Sequence, residues 1–330
     1  MTVQRTTTLG LAGNLRDGMP QFAPGALLLG RYRLAAPIGR GGMGIVYRAD
    51  DLKLGQRVAL KFLSPQLEHD PERVAQLVAE VRLGRRVAHP NVCRLYDIAE
   101  FGSRHFIVME LVEGEDLGSL LERIGRLPQE KALGVARDVC AGLAAAHDQG
   151  IIHRDLKPGN VMIDSRGRAR ITDFGIASSV DDLPQRHVVM GTLGYMAPEQ
   201  ARGQQPTPAT DVYALGVLLY EILTGHPPFQ VTSIFALANT PPIPPSNFVP
   251  DLDPRIETLI LRCLSHDAAD RPSSARAVLD ALPQSDILDA ALEAGETPSP
   301  EVVAAAGTIG RIPPLVAWTL LLTTIACTAL

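Results

Sequence analysis

The sequence HRDLKPGN occupies residues 153–160, and DFG follows at residues 173–175. The polar residues of these motifs that can take part in chemistry are Asp155, Lys157, Asn160 and Asp173. Oxygen atoms of an Asp and an Asn can ligate Mg²⁺, a second Asp can accept a proton, and a nearby Lys can neutralise phosphate charge. Phosphoryl transfer from ATP needs these groups. An acidic loop that only caps turns is the alternative, and the order and spacing of both motifs disfavour it.

A glycine-rich segment precedes these motifs in the chain. Gly39, Gly41 and Gly44 form a GxGxxG pattern, followed by the β-branched and aromatic residues 45–49. A dinucleotide-binding fold would need a helix after the glycines. The sequence instead predicts a β-hairpin, whose glycines let the backbone approach a phosphate closely. Taken alone, the pattern is equally consistent with a plain glycine turn.

Lys61 ends the next strand-like run, VALK at residues 58–61. A lone lysine on a strand is usually a solvated charge, but this one could reach a phosphate bound under the hairpin. It would then need a carboxylate partner to hold it in place. Glu80, on the predicted helix that follows, is the best-placed partner, and Glu68 and Glu72 are alternatives before or at the start of that helix.

Strand-like segments concentrate in the first part of the chain. Residues 32–63 form short valine-containing runs separated by turn glycines, and residues 105–112 resemble a further strand. Between them, residues 70–72 (Asp-Pro-Glu) are typical of a helix start. Apolar residues at i, i+3, i+4 and i+7 from Val74 to Val81 predict that this helix buries one face.

Longer helical segments follow in the second part. Residues 128–147 repeat apolar positions at helical spacing, and residues 211–223 are apolar nearly all round and end before Gly225. Strands first and helices later predict an α+β fold, here with two lobes.

Composition excludes several classes of protein. Hydrophobic residues make up 46% of the 330, too many for a wholly disordered chain. The 31 basic and 36 acidic side chains give a net charge of -5, without the basic surplus of a nucleic-acid binder. The four cysteines are far apart in sequence, which predicts neither a disulfide framework nor a zinc site.

With these motifs in place, residues 31–283 resemble a protein kinase catalytic domain, specifically a bacterial eukaryotic-like Ser/Thr kinase. The resemblance implies a small antiparallel β lobe with one key helix over about residues 31–111. It implies a larger, mainly helical lobe over about residues 112–283. The implied activity is transfer of the γ-phosphate of ATP to Ser or Thr hydroxyls of proteins, with autophosphorylation, in bacterial signal transduction.

The resemblance implies a role for each motif residue. Asp155 would be the catalytic base, and Lys157 would contact the γ-phosphate. Asn160 and Asp173 would hold Mg²⁺, or Mn²⁺ in its place.

Lys61 would hold the α- and β-phosphates and pair with Glu80. Met109 would sit at the back of the adenine pocket, Glu110 and Val112 would offer backbone groups to adenine, and Asp116 would contact the ribose. The remaining implied ATP contacts are Gly39, Gly41, Gly44, Val46 and Ala59.

Further matches to this family lie after the DFG motif. Residues 197–199 (Ala-Pro-Glu) resemble the motif that ends the activation segment, and Arg271 resembles its ion-pair partner. Asp211 resembles the buried helix residue that braces the catalytic loop. Lys157 together with Thr192 favours Ser/Thr acceptors over Tyr.

The activation segment departs from many relatives. Residues 185–190 carry no hydroxyl group where a phosphorylated Thr is common, although Arg154 is of the type that pairs with such a phosphate. The regulatory candidates are Ser178, Ser179 and Thr192. We expect autophosphorylation on Ser178 or Ser179, or else ordering of the segment without phosphate.

The ends of the chain differ from the body. Residues 1–30 predict a disordered leader, and residues 284–311 a juxtamembrane linker. Residues 312–330 predict a transmembrane segment, because residues 315–330 carry no charge. As a helix they would span about 24 Å, against about 30 Å for a bilayer core, so they form a tail anchor or the first part of a spanning helix. A terminal helix docked on the protein is the alternative.

These features predict a single-pass protein of the cell membrane with its kinase domain in the cytoplasm, where ATP is available; a cytoplasmic protein is the alternative. Dimerisation through the small lobe occurs in some relatives. Two other functions compete with the kinase. A pseudokinase would lack at least one motif residue, and a small-molecule phosphotransferase would lack the Ala-Pro-Glu motif and its Arg partner.

Overall fold

The computed structural model describes residues 22–41, 44–174, 194–229 and 240–283. Contacts divide the chain into two units, Met1–Leu282 and Pro283–Leu330. All described residues except Pro283 lie in the first unit, which contains a β-sheet lobe followed by a mainly helical lobe.

The small lobe is built on a six-stranded antiparallel sheet in the order β1-β2-β3-β4-β6-β5. Its strands are β1 (Leu27–Leu28), β2 (Tyr32–Gly41), β3 (Gly44–Asp51), β4 (Gln56–Leu63), β5 (Leu95–Phe101) and β6 (Arg104–Glu110). The strands predicted within residues 32–63 are confirmed. The strand predicted over 105–112 ends at Glu110, the last residue that pairs with β4.

The leader predicted over residues 1–30 extends too far. β1 pairs with β2, and the Phe22 ring packs against Phe62 with 5.0 Å between ring centroids. Residues 22–30 therefore belong to the folded lobe, because they cover an aromatic cluster on the outer face of its sheet.

Two helices follow β4: α1 (Pro65–Glu68) and α2 (Pro71–Gly84). The start of α2 is as predicted, since the side chain of Asp70 accepts hydrogen bonds from the backbone N–H groups of Glu72 and Arg73. Leu77 and Val81 form its buried face against the sheet. The helix therefore packs beside β4 and β5, where it can present polar side chains toward the second lobe.

The large lobe is mainly helical, with one small sheet. Its sheet contains β7 (Gly114–Asp116), β8 (Val161–Asp164) and β9 (Ala169–Ile171). Its α-helices are α3 (Leu117–Ile124), α4 (Gln129–His147), α5 (Pro198–Ala201), α6 (Pro208–Thr224), α7 (Pro254–Cys263) and α8 (Ala275–Ala281). A short 3₁₀ helix covers Pro158–Asn160.

Helix α6 forms the centre of the large-lobe core. Nearly every residue along it is buried, as the all-apolar pattern predicts, and it ends at Gly225, whose φ is 75°. Glycine adopts this left-handed conformation without strain. The helix begins three residues before the predicted start at Asp211, because Thr207 and Pro208 provide its N-terminal cap and first turn.

Backbone hydrogen bonds join the two lobes beside β9. The N–H of Ile171 donates to the carbonyl oxygen of Asn91 at 2.8 Å, and the N–H of Cys93 donates to the carbonyl oxygen of Ile171 at 2.8 Å. The segment that leads into β5 is thereby fixed to the strand that leads into the DFG motif.

Within the described ranges, no helix has the length and apolar composition to cross a membrane. The predicted linker at 284–311 and the predicted transmembrane segment at 312–330 lie outside the described residues.

Candidate active site

The glycine-rich segment forms the predicted β-hairpin between β2 and β3, with Gly39 opposite Val46 and Gly41 opposite Gly44. Gly44 has a φ of 141°, and a Cβ atom there would lie 1.7 Å from the carbonyl oxygen of Phe62 on β4. Only glycine fits at this position, because any side chain would clash with rigid backbone.

The residues predicted to enclose adenine come together under this hairpin. Ala59 and Met109 are buried in one apolar cluster, and Val46 and Val112 pack against it half-buried. Adjacent strands explain this, since Ala59 on β4 lies directly opposite Met109 on β6. The arrangement gives an apolar surface next to the last residues of β6.

The catalytic-loop residues contact one another directly. Lys157 Nζ lies 2.8 Å from Asp155 Oδ2, and Asn160 Nδ2 donates to Asp155 Oδ2 at 3.1 Å and to its carbonyl oxygen at 2.7 Å. The N–H of Thr172 donates to the carbonyl oxygen of Asn160 at 2.8 Å, which places Asn160 beside the strand that leads to Asp173. The carboxylate of Asp155 is therefore oriented by Lys157 and Asn160. Asp173, which carries the second carboxylate, directly follows Thr172 in the chain.

Asp211 braces this loop from the buried helix α6, as the family resemblance implies. Its carboxylate accepts hydrogen bonds from the N–H groups of His153 at 2.8 Å and Arg154 at 2.9 Å. Arg154 has a φ of 70°, an uncommon conformation that these bonds help to hold.

A third contact to Asp211 was not predicted from the sequence. The Nε2 atom of His147, the last residue of α4, lies 2.8 Å from Asp211 Oδ2. The available signal was the position of His147, at the predicted helix end shortly before the HRD motif.

The predicted ion pair between Lys61 and Glu80 is not formed among the described residues. Lys61 Nζ lies 2.7 Å from Asp173 Oδ1 instead. Glu80 contacts the guanidinium of Arg154 at 3.2 Å. Burial raises the pKa of Glu80, and Arg154 partly offsets this effect. The prediction was wrong, because Lys61 pairs with Asp173 and Glu80 pairs with Arg154.

The alternative partners for Lys61 are also engaged elsewhere or exposed. Glu68 accepts a hydrogen bond from the N–H of His105 at 2.8 Å and pairs with Arg104 at 2.6 Å. Glu72 lies exposed in the first turn of α2.

Asn160 and Asp173 supply the oxygen atoms that suit a hard cation such as Mg²⁺. Among the described residues, no three His, Cys, Asp or Glu side chains form a group that could hold a metal unaided. At a nucleotide site, Mg²⁺ typically takes one or two carboxylates and completes its coordination with phosphate and water.

Glu110 and Asp116 follow the adenine pocket along the chain. The N–H of Glu110 donates to the carbonyl oxygen of Arg94 at 2.9 Å, and its own carbonyl oxygen accepts from Cys93 Sγ at 3.4 Å. Asp116 is the N-cap of α3, and its carboxylate accepts from the backbone N–H and hydroxyl of Ser119 at 2.9 and 2.7 Å. Its role as a ribose contact stays a prediction.

The predicted partnership of Glu199 with Arg271 is confirmed. The guanidinium donates to Glu199 Oε1 at 2.8 Å and to Oε2 at 2.9 Å, and both side chains are buried. Burial alone would raise the pKa of Glu199, but the hydrogen bonds and charge of Arg271, together with hydrogen bonds from the backbone and from Thr210, outweigh burial and hold that pKa below its usual value. The pair anchors the end of the activation segment to the large lobe. The regulatory candidates Ser178, Ser179 and Thr192 lie outside the described residues.

Comparison with known proteins also indicates a protein kinase. The family model described as "Protein kinase domain" matches residues 32–282. The chain is 41% identical over 287 residues to the serine/threonine-protein kinase PknA of Mycobacterium tuberculosis, an alignment that covers 83% of the chain and 64% of PknA. It is 40% identical over 276 residues to the serine/threonine-protein kinase pkn2 of Myxococcus xanthus, covering 79% of the chain and 33% of that protein.

Among solved structures, the PknI kinase domain of Mycobacterium tuberculosis superposes with a TM-score of 0.66 at 31% identity. The match covers 79% of the chain and 98% of the PknI structure. The chain thus corresponds to nearly the whole of a solved catalytic domain, but to less than two thirds of the length of PknA.

Proposed function

The chain belongs to the protein kinase domain family, and from this premise we propose that it transfers the γ-phosphate of ATP to Ser or Thr hydroxyls of proteins in bacterial signal transduction. The observation that carries the proposal is the catalytic loop. Asp155 is oriented by Lys157 and Asn160, and the backbone of the loop is held by the buried carboxylate of Asp211.

In this mechanism each residue performs one task. Asp155 accepts the proton of the attacking hydroxyl, and Lys157 balances the charge of the moving phosphoryl group. Asn160 and Asp173 would hold Mg²⁺, which when bound neutralises the phosphate oxygens. Lys61 would leave Asp173 and turn to the α- and β-phosphates, because the same carboxylate oxygens then serve the metal. The close lysine–carboxylate contact supports the placement of these groups around one phosphate site.

A pseudokinase is the main competing function. The chain, however, has lost none of the motif residues whose absence would indicate a pseudokinase. Lys61, Glu80, Asp155, Asn160 and Asp173 are all present in the sequence. The Ala-Pro-Glu motif and its buried Arg271 partner also argue against a small-molecule phosphotransferase.

Autophosphorylation with radiolabelled ATP and Mg²⁺ tests the proposal. We expect Asp155→Asn and Lys61→Ala each to lower the signal at least about 100-fold, the lower range for a lost catalytic group. Asp148→Asn and Lys131→Ala are matched controls, because both side chains are exposed and lie outside the motifs. Retention of the signal in both active-site variants would reject the roles given to these residues.

We also propose that Ser178 or Ser179 accepts phosphate from the kinase itself, and that Thr192 helps to position Asp155 and Lys157. The support is the lack of any hydroxyl group in residues 185–190 and the presence of Arg154 in the HRD motif. Phosphopeptide mapping after incubation with ATP and Mg²⁺ tests this. Phosphate found only outside residues 176–196, with activity intact, would reject the switch.

A further proposal is that residues 312–330 insert in the cell membrane and keep the kinase domain on the cytoplasmic side. The support is the uncharged apolar run from residue 315 to residue 330. Detergent-free fractionation of cells that express the full chain tests it. Recovery of the full chain in the soluble fraction would contradict insertion.

The small lobe also carries a surface that supports the proposal of a homodimer. Leu29, Leu52 and Leu54 are 51%, 48% and 61% exposed in two adjoining turns at one end of the sheet. The buried carboxylate of Asp51 fixes both turns, since it accepts from the Arg31 side chain at 2.9 and 2.7 Å and from the N–H of Leu54 at 3.3 Å. A rigid exposed apolar patch is typical of an association surface.

Sedimentation of the full chain in detergent tests this surface. We expect Leu52→Lys to shift a dimer to monomer, whereas Leu83→Lys, at an equally exposed leucine on α2, leaves it unchanged. An equal sedimentation profile for wild type and Leu52→Lys would rule out this patch.

A further inference from the structure

The side chain of Glu110 is held by an ion pair to the large lobe. Its Oε1 atom accepts a hydrogen bond from Arg170 NH1 at 2.6 Å. Glu110 is the last residue of β6 in the small lobe, and Arg170 lies on β9 in the large lobe. The two residues are 60 positions apart, and no motif links them, so sequence reasoning did not identify Arg170.

The small lobe fixes the other polar groups of Glu110. Its Oε2 atom accepts from the N–H of Arg94 at 3.3 Å, and its own N–H donates to the carbonyl oxygen of Arg94 at 2.9 Å. The thiol of Cys93 lies 3.4 Å from its carbonyl oxygen. Burial raises the pKa of Cys93 to about 12, so the thiol keeps its proton at neutral pH and can donate it. Arg170 supplies the contact from the large lobe.

Arg170 is itself held on its strand. Its Nε atom lies 3.7 Å from Oδ2 of Asp164 on the neighbouring strand β8, and its side chain is only 18% exposed. The next residue, Ile171, makes the backbone hydrogen bonds to residues 91 and 93 that join the lobes. The strand that holds the guanidinium of Arg170 ends at Ile171, two residues before Asp173.

One side chain therefore connects two parts of the proposed nucleotide site. We propose that Arg170 is a positioning residue for ATP: through Glu110 it holds the backbone that would contact adenine at a fixed separation from Asp173, which would hold the metal. This inference rests on the proposed function, because it assumes that adenine binds at the end of β6. Within the described part of the chain, the side-chain ion pairs of Arg170 are with Glu110 and Asp164, so its guanidinium acts on the nucleotide site through Glu110.

Calorimetric titration of the full chain with ADP and Mg²⁺ tests the inference without requiring phosphate transfer. We expect Arg170→Gln and Glu110→Gln each to weaken ADP binding about fivefold, the effect of a partly buried ion pair. The double variant should bind no worse than either single variant, because both remove the same interaction. Arg170→Lys should recover part of the affinity.

Arg168→Gln is the matched control. Arg168 precedes β9 by one residue and pairs with Asp164 at 3.5 Å, but it makes no described contact to Glu110. It should leave ADP affinity within twofold of wild type. In activity assays, Arg170→Gln should raise the KM for ATP about fivefold and change kcat less than twofold, since the lost interaction positions the nucleotide before transfer.

Three results would overturn the inference. One is ADP affinity within twofold of wild type for both single variants, even if their melting temperatures fall, which would show a purely structural ion pair. Another is a double variant whose loss equals the product of the single losses. The third is a wild-type chain that binds no ADP. A wild-type chain that binds ADP but transfers no phosphate would reject the kinase activity and leave the positioning role standing.

Discussion

Removal of the charge on Glu199 should destabilise the large lobe severely, because Arg271 would remain buried without a counter-ion. The Arg271 side chain is fully buried. Its guanidinium makes two hydrogen bonds to Glu199 and others to the backbone carbonyl oxygens of Ser265, Ala209 and His266. It also lies 5.0 Å from the ring centroid of Tyr213. In Glu199→Gln the carbonyl groups stay in place, but the one negative charge is lost.

The expected cost of Glu199→Gln is about 3–5 kcal/mol, the range for breaking a buried ion pair by removing one partner. A domain of this kind is stable by about 5–15 kcal/mol, so the variant loses a large part of its free energy of unfolding. If Glu199→Gln does not fold, a variant that removes only one hydrogen bond to Glu199 can test the contribution of this buried ion pair. Thr210→Val removes the hydrogen bond from Thr210 Oγ1 to Glu199 Oε1 at 2.9 Å and should cost about 1–2 kcal/mol.

The pH dependence of stability should differ between variants of Glu199 and variants of Arg271. In the wild type the pKa of Glu199 is lowered, so the pair's contribution is present above the unfolded pKa near 4.5 and is lost as the pH falls through the lower folded value. In Glu199→Gln the orphaned guanidinium keeps its charge at any working pH, so the cost stays constant.

Arg271→Met should behave in the opposite way. Burial is the largest single influence on the pKa of Glu199, and without Arg271 we expect it to outweigh the remaining hydrogen bonds and raise that pKa above its unfolded value. The carboxyl group can then take up a proton and become neutral, so this variant should lose stability as the pH rises from about 5 to 8, by at most about 1.4 kcal/mol per pH unit. Glu199→Gln shows no such slope.

Urea unfolding at pH 5, 6.5 and 8 measures these differences, with the exposed Glu122→Gln as the control that should stay within about 0.5 kcal/mol of wild type. The reasoning would be refuted if Glu199→Gln cost less than about 1 kcal/mol, far below the range for an uncompensated buried charge. It would also be refuted if Arg271→Met lost stability as the pH fell.

Two further predictions concern single positions. Burial raises the pKa of Glu221 to about 7. The free energy of unfolding of the wild type should therefore fall as the pH rises from about 4.5 to 7, by about 2 kcal/mol after allowance for partial exposure. Glu221→Gln should remove this slope in thermal melts from pH 4 to 8. Gly44→Ala should abolish ADP binding, measured by calorimetry, because its Cβ would lie 1.7 Å from the Phe62 carbonyl oxygen. Gly134→Ala on helix α4 is the control, since a Cβ there meets nothing within 4 Å, and equal binding by both variants would contradict the steric argument.

Local chemistry explains why most of the fold could be predicted from the sequence. The start of α2 is decided by Asp70 and Pro71, and the end of α6 by Gly225, each through backbone groups within a few residues. The contacts within the catalytic loop are predictable for the same reason, because Asp155 and Asn160 lie five residues apart. Contacts between distant residues, such as Glu110 with Arg170, leave no local signal.

The pairing of Lys61 shows a second limit, which applies even where every residue is identified. Lys61, Arg154, Glu80 and Asp173 form two cations and two anions that can pair in two ways. The structure pairs Lys61 with Asp173 and Arg154 with Glu80, whereas the family resemblance predicts Lys61 with Glu80. Lys61 has a carboxylate partner in either arrangement, and two conformations of one protein typically differ in free energy by only a few kcal/mol. The choice depends on where helix α2 carries Glu80, which residue identity alone does not determine.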